Sequence, residues 1–201
     1  MNRGKHLVLV LGGARGGKSD FAAELAAERS HNVIFVATAE AGDAAMRRRI
    51  AAHRACRPPH WRTVEAPRNV AQAIAEQARA GEAVLLDCLT LLTANVMGQV
   101  NSDDPQEDGS YEEMRQRLNG ELDALMAWYE AHTSDLIVVS NEVGMGLVPA
   151  NPLGRTYRDL LGWGNSWLAK KADEVYLMVA GLPVEVKRLA RPSNRADADG
   201  S

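Results

Sequence analysis

The chain is poor in cysteine, in aromatic residues and in long apolar runs. Only Cys56 and Cys88 occur among its 201 residues, and they form no C-x-x-C pair. That pattern excludes a disulfide framework and a thiolate zinc site, and it fits a reducing cytoplasm. The five histidines, His6, His31, His53, His60 and His132, include no H-x-x-x-H pair, so no histidine metal centre is expected. Aromatic residues make up 5%, without basic–aromatic clusters, and the net charge is -3. Both facts argue against a nucleic-acid-binding surface. No apolar run approaches the length of a membrane span. The basic start MNRGKH leads straight into LVLVLGG, which reads as a strand rather than a signal peptide.

Hydrophobic residues are 46% and charged residues 24%, as in an ordinary globular protein. The length suits one domain with a sizeable core. A single domain over residues 1–189 is expected, with a polar, disordered tail over 190–201.

The most informative stretch is Leu7–Glu28, LVLVLGGARGGKSDFAAELAAE. The apolar run Val8–Leu11 reads as a buried strand. Gly12, Gly13, Ala14, Arg15, Gly16, Gly17, Lys18 and Ser19 then match G-x-x-x-x-G-K-[ST], the phosphate-binding P-loop. An alanine-rich helical pattern begins at Ser19. Glycines let backbone N–H groups converge on a polyphosphate, and the helix N-terminus adds partial positive charge. Lys18 then contacts the β- and γ-phosphates, and the Ser19 hydroxyl ligates Mg²⁺.

Strand and helix patterns alternate beyond that point. Strands are expected at Val33–Ala37, Ala83–Asp87, Leu136–Val139 and Val175–Val179, with a short extended piece at Arg62–Glu65. An edge strand is expected around Val184 and Val186. Helices are expected at Asp43–Arg54, Asn69–Ala80, Leu89–Met97, over Tyr111 to Tyr129, and at Tyr157–Lys171, where Gly162 and Gly164 weaken the pattern. Asn101–Gly109, NSDDPQEDG, reads as a disordered acidic loop. The order implies a mostly parallel sheet with helices on both faces and a ligand crevice at the strand C-terminal ends.

Several side chains fall where that crevice lies. Asp87 ends the run VLLD and suits the carboxylate that a P-loop site uses for Mg²⁺; the alternative is a cap on the next helix. Glu65, Asn141 and Glu142 also follow strands, and Glu142 is either a base for a substrate hydroxyl or a loop cap. His53 shares a helical face with Met46 and Ile50, which alone indicates packing. Arg47, Arg48, Arg49, Arg54 and Arg57 surround it, and nearby cations favour a neutral, nucleophilic imidazole. The four tryptophans, Trp61, Trp128, Trp163 and Trp167, read as core or interface residues.

The order of GGARGGKS, ATA at Ala37–Ala39, RRRIAAHRACRPPHWRTVE, VLLDCLT and SNEVGMGLVP resembles the bifunctional adenosylcobinamide kinase / adenosylcobinamide-phosphate guanylyltransferase family (CobU/CobP). The resemblance runs from about Leu7 to Lys187. It implies a RecA-like P-loop α/β domain that phosphorylates adenosylcobinamide with ATP or GTP. It also implies transfer of GMP from GTP to adenosylcobinamide phosphate through a GMP-histidine, with His53 as the matching histidine. Residue by residue, it assigns the polyphosphate to Gly12–Ser19. It places Ala37, Thr38 and Ala39, then Arg54, Ala55, Cys56 and Arg57, and finally Glu65 and Asp87 at the nucleotide. It further implies a homo-oligomer, a trimer with sites near subunit boundaries. The chain departs from the family pattern at Asp87, which replaces a Glu, at Gly16, a free loop position, and at Asn165-Ser166-Trp167. Two other readings stand beside it: a single-activity P-loop kinase with a structural His53, and a RecA-like nucleic-acid-binding ATPase.

Overall fold

The computed structural model describes residues 4–40, 57–100 and 108–190. Seven strands form one sheet: β1 (Leu7–Gly12), β2 (Val33–Ala37), β3 (Arg62–Glu65), β4 (Ala83–Asp87), β5 (Leu136–Val139), β6 (Glu174–Val179) and β7 (Leu182–Glu185). Between them run α1 (Lys18–Arg29), α2 (Val70–Gln77), α3 (Leu89–Met97), α4 (Asp108–Ala131) and α5 (Pro152–Lys171), with a terminal turn α6 (Val186–Leu189). The strand order is β3-β2-β4-β5-β1-β6-β7. Strands β1 to β6 are mutually parallel, and β7 pairs antiparallel with β6.

The apolar runs of the strands follow from burial on both faces. Alternate residues enter two separate cores. Leu9, Ile34, Val36, Leu86 and Val138 pack under α2, α3, α4 and α5. Val8, Val10, Phe35, Leu85 and Val139 pack on the other face with Ala22, Leu25 and Ala26 of α1. All six parallel strands therefore deliver their C-terminal ends to one edge. The first of them, β1, lies between β5 and β6, and β5 separates it from β4.

The α/β reading, the mostly parallel sheet and the five principal strands are observed. Boundaries differ in places. Helix α2 stops at Gln77 rather than Ala80, because the Arg79 N–H donates to the Glu82 carboxylate at 2.7 Å and turns the chain toward β4. The expected loop 101–109 ends in helix, since α4 begins at Asp108; residues 101–107 lie outside the described residues. Helix α5 begins at Pro152 rather than Tyr157, capped by the Asn151 side chain, which accepts from the Gly154 N–H at 2.6 Å. Its Gly164 faces Leu118, Leu89 and Leu122, which a Cβ there would meet at 3.5–3.8 Å, ordinary van der Waals contact. Val186 begins a helical turn instead of extending the edge strand. The expected helix Asp43–Arg54 and the tail beyond Ala190 lie outside the described residues. Trp61 and Trp128 are buried, while Trp163 and Trp167 pack partly buried against the core.

Candidate nucleotide-binding site

The loop Gly12–Ser19 leaves β1 and turns into α1. Its turn is fixed by the Gly16 N–H donating to the Gly13 carbonyl at 3.2 Å. Gly17 caps α1 with φ 81, a conformation that costs a side-chain-bearing residue energy. Lys18 is buried, and its ammonium donates to the Gly13 carbonyl at 2.7 Å, so the cation lies across the mouth of the loop. Ser19 follows it, partly exposed.

The ends of the neighbouring strands face the same edge. β5 runs into Ser140, Asn141 and Glu142, and the Glu142 N–H donates to the Gly12 carbonyl at 3.0 Å. That bond ties the loop after β5 to the start of the P-loop. The Glu142 carboxylate accepts from the Gly144 N–H at 2.5 Å, which folds the loop back on itself. Behind this loop, the buried Ser140 hydroxyl donates to the Asn165 side-chain carbonyl at 2.6 Å. The Asn165 amide donates to the Asn141 carbonyl at 2.9 Å, and the Asn141 N–H donates to the Thr90 hydroxyl at 2.8 Å. These partners come from α5 and α3.

Beyond β5, Asp87 ends β4, half-buried, and the Asp87–Cys88 peptide is cis. The Cys88 thiol is desolvated and lies beside the Asp87 carboxylate, and burial first and that charge second push it up to about 11. Ala37 ends β2, Thr38 and Ala39 follow it, and Glu65 ends β3, exposed. Adjacent strands lie about 4.8 Å apart, so Asp87 is displaced roughly 10 Å across the sheet from the P-loop strand, with the end of β5 between them. The donor set suits a hard cation: the Ser19 hydroxyl and the Asp87 carboxylate are oxygen donors, and the neighbouring Cys88 thiol is held protonated. Mg²⁺ is commonly held by one or two carboxylates together with substrate phosphates. Among the described residues, no three His, Cys, Asp or Glu side chains converge to hold a metal without such phosphates.

The expected site residues thus divide into groups. Gly12–Ser19, Ala37–Ala39, Glu65 and Asp87 are brought to one sheet edge. Arg57 is placed elsewhere: its guanidinium lies 3.3 Å from the Phe35 ring centroid and donates to the Thr63 hydroxyl at 3.1 Å, on the sheet face at mid-strand. His53, Arg54, Ala55 and Cys56 lie outside the described residues. His60 precedes β3 and its ring lies tilted against that of His31, which precedes β2, with ring centroids 4.4 Å apart. Both rings are therefore at the opposite edge of the sheet from the P-loop.

A family model described as cobinamide kinase / cobinamide phosphate guanyltransferase matches residues 8–186, which spans the whole sheet from β1 through β7. The chain belongs to this family. It is 45% identical to the bifunctional adenosylcobalamin biosynthesis protein CobP of Pseudomonas aeruginosa, over 89% of this chain and 96% of that protein. It is 39% identical to the bifunctional adenosylcobalamin biosynthesis protein CobU of Escherichia coli K12, over 90% of this chain and 99% of that protein. The protein of the same name from Salmonella typhimurium is 37% identical over the same shares. Membership of the cobinamide kinase / cobinamide phosphate guanyltransferase family makes the chain a transferase that handles nucleotide substrates. No described helix is long and apolar enough to cross a membrane.

Sequence reasoning missed the polar residues Thr90 and Asn95 behind the edge, and noted Asn165 only as a departure from the family pattern. All three stand in helices, and their partners are remote in sequence. The one visible signal was an Asn in the otherwise mostly apolar run LTLLTANVM.

Proposed function

We propose that this protein phosphorylates adenosylcobinamide with ATP or GTP and then transfers GMP from GTP to adenosylcobinamide phosphate. The products are adenosylcobinamide-GDP and pyrophosphate. One observation carries the reading. In a chain of this family, the P-loop with its buried lysine shares one sheet edge with the ends of β2, β3 and β4, where Thr38, Glu65 and Asp87 stand.

In the kinase step, the loop N–H groups not used in the Gly13–Gly16 turn and the Lys18 ammonium hold the β- and γ-phosphates in line with the substrate hydroxyl. The hydroxyl oxygen bonds to the γ-phosphorus, the bridging P–O bond breaks, and a nucleoside diphosphate leaves. Glu142, tied to the P-loop through Gly12, receives the hydroxyl proton. A bound Mg²⁺, held by Ser19 and Asp87, supplies neutralisation of phosphate charge.

In the guanylyl step, an imidazole nitrogen of His53 bonds to the α-phosphorus of GTP and pyrophosphate leaves. A phosphate oxygen of adenosylcobinamide phosphate then attacks the same phosphorus, the P–N bond breaks, and the imidazole is restored. The resemblance puts Arg54 beside His53 at GTP, where a guanidinium binds phosphate oxygens. The assembly is read as a homo-oligomer, a trimer in the resemblance. The exposed cluster Met145, Leu147, Val148 and Leu153 supports a contact surface near the site.

Product masses test the whole sequence. Adenosylcobinamide with ATP and Mg²⁺ gives the phosphate, and added GTP gives adenosylcobinamide-GDP. Phosphate that is never converted leaves a single-activity kinase, and no product at either stage overturns both halves.

A further inference from the structure

Asp87 is held from an unexpected direction. Thr38, the residue after β2, is fully buried, and its relative exposure is 0%. Its hydroxyl donates to the Cys88 carbonyl at 2.7 Å, and the Cys88 N–H donates back to the same hydroxyl at 2.8 Å. The Thr38 N–H donates to the Asp87 carbonyl at 3.2 Å. The Thr38 carbonyl accepts from the Asn95 amide at 2.8 Å, and that amide also donates to the Pro67 carbonyl at 2.9 Å. One side chain on α3 therefore ties together the segments that follow β2 and β3.

A threonine hydroxyl has a single proton to give. Here that proton goes to Cys88, so the Thr38 hydroxyl has none left to donate to a phosphate. What it fixes is the backbone on the C-terminal side of Asp87. The β2–β4 ladder, in which Ala37 is paired with Asp87, fixes the N-terminal side. We propose that Thr38, braced by Asn95, is a positioning residue that aims the Asp87 carboxylate at the cation of the nucleotide complex. The proposal rests on the reading of Asp87 as the cation's carboxylate. Partners behind a metal ligand set its orientation, and their loss weakens metal affinity without any contact to the metal. Thr38→Ser preserves both hydroxyl bonds. Thr38→Val keeps the shape and removes both.

The test is calorimetric binding of α,β-methylene GTP, which cannot release pyrophosphate, with Mg²⁺ and again with EDTA. The readout is the ratio of the two affinities. Asp87→Asn is expected to abolish the Mg²⁺-dependent gain. Thr38→Val is expected to lose about tenfold of that gain with its EDTA affinity unchanged, as for lost outer partners of a metal ligand. Asn95→Ala shifts the ratio the same way, and Thr38→Ser keeps it. A normal ratio in Thr38→Val beside a lost ratio in Asp87→Asn overturns the positioning role alone. An equal fall in EDTA makes Thr38 a direct nucleotide contact and also overturns it. A normal ratio in Asp87→Asn overturns the underlying reading of Asp87. If Thr38→Val does not fold, Asn95→Ala decides by the same comparison.

Discussion

The Lys18 ammonium donates to the carbonyl oxygen of Gly13 at 2.7 Å, bridging the loop that its own helix terminates. The bond holds a buried cation at the point where β- and γ-phosphates enter, so the charge needs little reorganisation as transfer begins. Lys18→Ala is expected to lower phosphoryl transfer by at least about 100-fold, in the range seen for loss of one preorganised transition-state donor. Lys18→Arg is expected to fail as well, because a planar fork does not replace a point charge. Initial rates at saturating nucleotide check both.

Gly17 turns the chain into α1 at φ 81. Gly17→Ala forces a side chain into the left-handed region at a cost of about 1–2 kcal/mol. Nucleotide affinity is expected to fall together with the melting temperature, because the same turn aims the loop N–H groups. Thermal melts with and without GTP check this.

The Cys88 thiol is pushed up to about 11 from its ordinary 9.0 by burial and by the Asp87 carboxylate. It is expected to resist alkylation at pH 8 in the folded protein and to react after unfolding, as peptide mass mapping would show. The raised value also sets a sign. The stability it contributes is fully present below pH 9 and is lost as pH rises toward 11. Cys88→Ala is expected to flatten that alkaline fall.

At the opposite edge, Glu82 is buried and accepts from Arg62 and from the Arg79 N–H. Burial acts to raise its carboxyl, but the Arg62 and Arg79 bonds outweigh it and hold it below the ordinary 4.5. Its stabilisation is present above that value and is lost as pH falls through the lower folded one. Glu82→Gln is expected to cost about 1–3 kcal/mol while leaving the KM for GTP unchanged. Denaturant melts beside steady-state kinetics separate the two effects.

Local chemistry was legible in the sequence, and long-range pairing was not. The P-loop announces itself because glycines, lysine and serine are contiguous, and Leu136–Val139 reads as a strand because both its faces are buried. The start of α5 at Asn151 and Pro152, an N-cap followed by a first-turn proline, was not legible beside Gly162 and Gly164, which weaken the helical pattern, so the helix was expected only from Tyr157. The bonds that organise the edge join residues far apart: Thr38 with Cys88, Ser140 with Asn165, Glu142 with Gly12. No local pattern encodes such pairs. His60 lies only three residues beyond Arg57 in sequence, yet its contact with His31 places it at the far edge.

The most direct measurement is intact mass after incubation with GTP and Mg²⁺, for wild type, His53→Ala and His60→Ala. The result expected is one acid-labile GMP adduct on wild type and on His60→Ala, and none on His53→Ala. An adduct that persists on His53→Ala, or its absence from folded wild type with GTP bound, would contradict a GMP-histidine at His53.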